Sequence, residues 1–339
     1  MSRIHTSRAV VAAGALAGAL AVVPAVSASA DTSAGTVTRI AGADRYEASA
    51  NISQANFGAG LGGTIYIASG EVYTDALSGA PVAGKNNRPV LLTRSDELPA
   101  VVADEIERLQ PDEIVVFGGT ATITGAVMNA LRKLTDGDVT RIAAPTRYSA
   151  SAKISSLNFD VGPATTFVAS GEIFTDALSG APVAGKTPGP LLLIESDNVP
   201  GVVKKELTRL ESKRIIVLGG ENTIDQDTYA FLTRYTTGAV ERWAGPDRFS
   251  TSAYISAQSY AAGVDTVYVA SGRVFADALS GAPVAGRQNV PVLLVDTDAI
   301  PSSVGAELDR LNPTNIVVLG GPASVSPAVE TQLASYLAD

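Results

Sequence analysis

One segment of this chain is written three times, and that repeat limits the possible folds more than any other feature. Ala68-Ser69-Gly70 through Asp75-Ala76-Leu77-Ser78-Gly79-Ala80-Pro81-Val82-Ala83-Gly84 recurs at 169–185 and at 270–286. Asp75, Asp176 and Asp277 are spaced 101 and 101, and Gly118-Gly119, Gly219-Gly220 and Gly320-Gly321 keep the same intervals. A period near 100 residues is too long for solenoid units of about 20–50. It is long enough for a small domain with its own core. The copies occupy 37–135, 139–236 and 239–338, which leaves no span for a separate catalytic domain. The short connections, near Thr135–Asp138 and Thr236–Gly238, predict copies that pack together rather than hang as beads.

Within a copy, strand and helix patterns alternate. Copy one has short apolar runs at Val37–Ala41, Thr64–Ala68, Pro89–Thr93 and Glu113–Phe117, which suit strands buried on both faces. Helical segments fall between them, at Arg45–Asn56, Asp75–Ala83, Pro99–Leu109 and Gly125–Leu134. Asp44, Thr146 and Asp247 are N-cap residues for the first helix of each copy, and Thr124, Asp225 and Ser326 for the last. Pro99, Pro200 and Pro301 fit a first helical turn, where a missing N–H costs nothing. Pro81, Pro182 and Pro283 lie inside the second helix, which is expected to be kinked or short. Four β-α units per copy imply an α/β fold, mostly parallel, with helices on both faces of the sheet.

Composition removes several chemistries. The 339 residues include no Cys and a single His, His5. Arg3 and Arg8, the uncharged run Ala9–Val23 and the small-x-small triplet Ala28-Ser29-Ala30 read together as a secretory signal over 1–30, cleaved before Asp31. Its 15 apolar residues are short for a bilayer span, and no later segment approaches the roughly 18 needed. The mature chain then has no His, which excludes Ser-His-Asp and Cys-His nucleophiles and the common zinc sites. No metal or other cofactor is expected. Loss of two arginines leaves 23 basic against 34 acidic residues, a net charge of −11 that disfavours nucleic acid.

Two motif matches dissolve on inspection. Gly180 to Thr187 spells G-x-x-x-x-G-K-T, but a phosphate-binding loop follows a strand directly, and here residues 175–179 intervene. Copies one and three also lack the hydroxyl, so no nucleotide is expected. Gly58-Ala59-Gly60-Leu61-Gly62-Gly63 precedes a strand instead of following one and reads as a flexible connection. Glu71 with Asp75 is a candidate pair for glycoside hydrolysis. Copy two keeps Glu172 and Asp176, but copy three carries Arg273 in place of the glutamate, so only the aspartate is common to all three. Its simplest role is an N-cap for the helix it begins.

The aligned cations carry more. Arg108, Arg209 and Arg310 fall near a helix C-terminus, where a cation complements the dipole and faces solvent. Lys85, Lys186 and Arg287 also align. Arg45, Arg147 and Arg248 instead sit at a helix N-terminus, which they oppose unless an anion is present. The alternative is a salt bridge to Asp75 or to a neighbouring copy. In an open parallel sheet ligands bind beyond the carboxyl ends of the strands. Candidate ligand residues are therefore Arg45, Arg147 and Arg248 with Asp75, Asp176, Asp277, Ser69, Ser170 and Ser271.

With these residues on the page, the chain resembles the type-2 cell-wall-binding repeats of Gram-positive surface proteins. The resemblance rests on Arg-x-Ala-Gly-x-Asp-Arg (Arg39–Arg45 and Arg242–Arg248), the Ala-Ser-Gly…Asp-Ala-Leu-Ser segment, Pro-x-Leu-Leu at Pro89, Pro190 and Pro291, and the Gly-Gly strand ends. Copy two departs, with Ala144 and Thr146 where the others have Gly and Asp. The resemblance implies three Toprim-like or Rossmann-like modules packed as an intramolecular pseudo-trimer. It implies a secreted, non-enzymatic protein held non-covalently on an anionic wall glycopolymer or peptidoglycan. A carboxylate-based wall hydrolase and a surface adhesin are the alternatives.

Overall fold

The computed structural model describes residues 35–338; the secretory leader read over 1–30 lies outside them. Copy one runs β1 (Thr36–Ile40), α1 (Arg45–Asn56), β2 (Thr64–Ser69), α2 (Thr74–Lys85), β3 (Val90–Thr93), α3 (Ala100–Leu109), β4 (Glu113–Phe117) and α4 (Gly125–Leu131). Copy two repeats the order as β5 (Asp138–Ile142), α5 (Arg147–Asn158), β6 (Thr166–Ser170), α6 (Phe174–Lys186), β7 (Leu191–Ile194), α7 (Gly201–Leu210), β8 (Ile215–Leu218) and α8 (Gln226–Leu232). Copy three follows with β9 (Val240–Trp243), α9 (Arg248–Ser259), β10 (Thr266–Ser271), α10 (Ala276–Gln288), β11 (Val292–Val295), α11 (Ser302–Leu311), β12 (Asn315–Leu319) and α12 (Pro327–Leu333).

Every strand pair is parallel, as short apolar runs buried on both faces require. The three sheets have the orders β3-β2-β4-β5, β7-β6-β8-β9 and β11-β10-β12-β1. Each sheet therefore takes its fourth strand from the next copy, and the last takes it from the first. No copy completes its own sheet, contrary to the expectation of four self-contained β-α units. The short connections explain the exchange: the chain leaves α4 and reaches β4's open edge before any other, pairing Glu113–Phe117 with Asp138–Ile142. The strand β1 closes the ring against β12, from Thr36 opposite Asn315 to Ile40 opposite Leu319.

The three second helices, α2, α6 and α10, pack against one another on the pseudo-threefold axis. Small residues permit that approach. A Cβ on Gly84 would lie 3.2 Å from the Gly185 Cα, and one on Gly286 would lie 2.9 Å from the Pro182 carbonyl. These helices run 12, 13 and 13 residues straight through Pro81, Pro182 and Pro283, so they are not shortened. Their mutual packing offsets the lost backbone bond. Pro99, Pro200 and Pro301 are N-cap residues just outside the third helices, one position earlier than a first turn.

Cations fasten the ring from copy to copy. Lys85 donates to the Asn158 carbonyl at 2.6 Å, Lys186 to Ser259 at 2.8 Å and Arg287 to Asn56 at 2.8 Å. Each of these carbonyls lies at the C-terminus of the next copy's first helix, where the dipole attracts a cation. Each cation also covers an aromatic ring, of Phe159, Tyr260 and Phe57 respectively. The literal G-x-x-x-x-G-K-T is thus the second half of α6, with its lysine committed to copy three and its amides inside a helix.

Arg108, Arg209 and Arg310 are only partly open to solvent and do more than complement a dipole. Each makes a two-pronged bond to a glutamate three residues earlier: Glu105, Glu206 and Glu307, all 4–5% exposed. The same arginines reach the carbonyls of Phe57, Phe159 and Tyr260. Buried carboxylates need partners, and these locks tie each third helix to the first.

Candidate functional site

Three equivalent corners form where the strands end, and each draws on two copies. The Asp44 side chain accepts from the Tyr46 and Glu47 amides at 2.9 and 3.0 Å, and Asp247 from Ser250 at 2.7 Å, so both cap as expected. Thr146 caps through a reciprocal pair with Ser149. A Cβ on Gly42 or Gly245 would fall 2.3 or 2.5 Å from the first turn of its own helix, so in these two copies the entry is too tight for a side chain. Ala144 takes this place in copy two, yet Arg147 lands as its counterparts do. Arg45, Arg147 and Arg248 donate to the carbonyls of Gly70, Gly171 and Gly272, the last at 2.8 Å.

Asp75, Asp176 and Asp277 do not cap their helices. They lie in the first turn, while Tyr73, Ile173 and Phe275 hold the cap positions without side-chain bonds. Their carboxylates turn instead into the corner at Gly118, Gly219 and Gly320, whose φ values are 130°, 108° and 102°. A Cβ there would meet the carboxylate oxygens at 3.2, 2.4 and 2.2 Å. Conformation and space both demand glycine at this point. The glycine carbonyls are held by an arginine on the adjoining edge strand, Arg141 to Gly118 at 2.5 Å, Arg242 to Gly219 at 2.9 Å and Arg39 to Gly320 at 2.6 Å.

Charge pairs across the copies. The charge of Arg147 pulls down on the Asp75 carboxyl, that of Arg248 on Asp176 and that of Arg45 on Asp277, so each aspartate feels an arginine of another copy and the cycle closes as the sheets do. None of these pairs approaches to ion-pair distance. Asp176 and Asp277 are only 4% and 6% exposed. Burial pushes the Asp176 carboxyl up to about 6, against smaller downward pulls from Thr223 and Arg248. Asp75 and Asp277 are raised by the same cause.

Ser69, Ser170 and Ser271 are buried below the corner. Their hydroxyls accept the amides of Glu71, Glu172 and Arg273 at 3.1 Å and so shape the loop that leads to each aspartate. Glu71 is exposed and within 3.3 Å of the Tyr46 hydroxyl. The structure therefore brings the arginines and aspartates together in pairs from different copies and sets the serines beneath them.

The sequence reading passed over one feature. Tyr73, Phe174 and Phe275 meet on the axis with ring centroids 5.4, 5.7 and 6.0 Å apart. Arg45 covers the Phe275 ring at 5.6 Å. The aligned aromatics two residues before each aspartate were a visible signal. Their convergence needed the ring. Val72 and Ile173 stand exposed beside them, each at 37%. Among the described residues no group of three or more acidic or His side chains could hold a metal, and no helix is long and apolar enough to cross a membrane.

Residues 39–128, 141–229 and 242–330 each match the family described as cell wall binding domain 2. An amidase enhancer of Bacillus subtilis is 31% identical over 303 residues, covering 89% of this chain and 41% of its own length. The N-acetylmuramoyl-L-alanine amidase LytC of the same organism is 26% identical over 298 residues, covering 88% and 58%. The chain thus spans between two fifths and three fifths of these relatives. Among solved structures, Cwp6 from Clostridium difficile superposes with a TM-score of 0.83 at 22% identity, over 90% of this chain and 48% of that one. Cwp8 from the same organism gives 0.80 at 26%, over 89% and 51%.

Proposed function

Because the chain belongs to the cell wall binding domain 2 family, we infer that it is exported and stays on the wall without a covalent link. In this reading residues 1–30 are the removed leader, and the three inter-copy corners grip a secondary wall glycopolymer. The observation that carries it is the threefold recurrence of an Arg–Asp corner built from two copies. Three such corners on one particle let weak contacts act together, since linked sites exceed single-site affinity by roughly 10²–10⁴. Arg45, Arg147, Arg248, Asp75, Asp176 and Asp277 touch the polymer, and Ser69, Ser170 and Ser271 hold the loops.

Binding without catalysis fits the corner chemistry. The aspartate is the one carboxylate common to all three corners, whereas glycoside hydrolysis needs two that flank the scissile bond. The amidase relative matches a chain whose three repeats already account for residues 39–330. Sedimentation of the purified protein with purified walls tests the reading, using walls stripped of secondary polymer as the comparison. Retention only by unstripped walls supports it. Release of soluble peptidoglycan fragments by the protein alone would replace it with the hydrolase reading.

A further inference from the structure

The three junctions of the ring are alike in strand pairing and unlike in covalent support. The chain itself crosses from copy one to copy two at 132–137 and from copy two to copy three at 233–239, whereas copy three meets copy one only through non-covalent contacts. The edge-strand arginine behaves differently at this seam. Arg141 directs a further hydrogen bond to the Ile123 carbonyl at 2.7 Å, and Arg242 to the Ile224 carbonyl at 2.8 Å. Arg39 instead donates from Nε and Nη2 to one carboxylate oxygen of Glu330, at 2.9 and 2.7 Å, besides holding the Gly320 carbonyl. Met128 and Tyr229 stand in the place of Glu330 at the two covalent junctions. The Arg39 and Glu330 side chains are 14% and 31% exposed, so the pair is partly withdrawn from water. A second polar link also belongs to the seam: Gln288 donates to the Asn56 side-chain oxygen at 2.9 Å, while its counterparts Asn86 and Thr187 bond within their own copies.

A short linker keeps two parted edges close, so a covalent junction re-forms readily after any local opening. The seam has no such linker, and its ends are held in register only by way of copy two. Charge-assisted side-chain bonds stand where the linker stands elsewhere, and they are stronger than neutral ones yet fully reversible. We propose that the particle opens at the seam and not at the covalent junctions, with Arg39 and Glu330 as the latch. In the open form β1 leaves β12 and α1 leaves α10, which pack together in the closed ring. The Gly320 corner then loses the arginine that holds its carbonyl, while the corners at Gly118 and Gly219 keep theirs.

Native-state hydrogen exchange tests this, because the ring carries its own comparison. The Gly320 amide donates across the seam to the Ile40 carbonyl at 2.9 Å, and the Gly118 and Gly219 amides donate across the covalent junctions to Ile142 and Trp243 at 3.0 and 2.9 Å. In the purified chain, Gly320 and residues 36–40 should exchange at least about tenfold faster than Gly118 with 138–142 and Gly219 with 240–243. Glu330→Met, the residue of copy one, should speed the seam by at least about a further tenfold, as loss of a hydrogen bond to a charged group does, and leave the other two junctions unmoved. Fraying of β1 alone is separated from ring opening by a lock placed elsewhere on the seam. The chain has no native Cys, and the Asn56 and Gln288 side chains already touch, so N56C/Q288C can be joined by a disulfide. Oxidation of that variant should slow exchange over 36–40 at least about tenfold relative to its reduced form. Equal exchange at all three junctions, a Glu330→Met effect shared by all three, or a lock that leaves 36–40 unchanged overturns the proposal.

Discussion

Asp176 lends itself to a stability measurement that separates a working acid from a structural one. Its carboxyl is pushed up to about 6 by burial, from an ordinary 3.8. Between those values the folded chain keeps a proton that the unfolded chain gives up. The protonated acid's contribution is fully present below about 3.8 and is lost as pH rises through about 6. At pH 7.5 the ionised, buried carboxylate therefore costs about 3 kcal/mol, at roughly 1.4 kcal/mol per tenfold change in proton affinity. Asp176→Asn keeps the shape and removes the charge. Urea unfolding at pH 7.5 should show the variant more stable than the parent by about 2–3 kcal/mol, and the gap should shrink toward zero by pH 4. The same variant should hold walls less well. A D176N protein that unfolds at lower urea than the parent at pH 7.5, or a gap that ignores pH, would refute the reasoning: Asp176 would then be a satisfied structural group.

Three further outcomes follow from the geometry. Replacing Arg45, Arg147 and Arg248 together by Ala should abolish most wall retention in sedimentation while single replacements weaken it partly, and Arg147→Ala should cost no less than the others because its corner matches theirs. Arg108→Ala should destabilise by about 3 kcal/mol in urea unfolding, since Glu105 would stay buried without its cation. Gly185→Val should cost about 1–3 kcal/mol by overpacking the axis, where a Cβ already lies 3.3 Å from the Gly84 Cα. Small-angle scattering of that variant should show a larger radius of gyration.

The local grammar of the fold was legible, because caps and parallel strands depend on near neighbours or on period. Asp44, Asp247 and Asp225 cap where the sequence places them, whereas Thr124 and Ser326 hold the N-cap position without a side-chain bond to the helix. Pairing partners were not legible. The run Thr36–Ile40 has the same hydrophobic pattern whether it joins its own copy or another, and only the geometry of the ring assigns it to β12. The partners of the Arg108 set are not legible either, because a glutamate three residues back is a commonplace surface pair on a helix until Ser53 and the Phe57 carbonyl bury it. Asp75 has the sequence signature of a cap, and the neighbour that draws it away, Gly118, lies 43 positions along the chain. The candidate corner was half visible: its residues recur in the sequence, but their pairing across copies does not.

The closure of the ring by β1 also decides how the particle carries load. Thr36 bonds to the Thr314 carbonyl at 2.9 Å and Ala338 to the Pro313 carbonyl at 2.8 Å, so both ends of the described chain emerge together at the pole opposite the corners. Tension applied between the corners and either end of the described chain thus runs along the axis of the closing sheet. There the five register pairs of β1 and β12 are strained side by side as a shear joint, instead of opening one at a time like a zipper. The weakest covalent arrangement in a ring, its seam, is thereby oriented in its strongest mechanical direction.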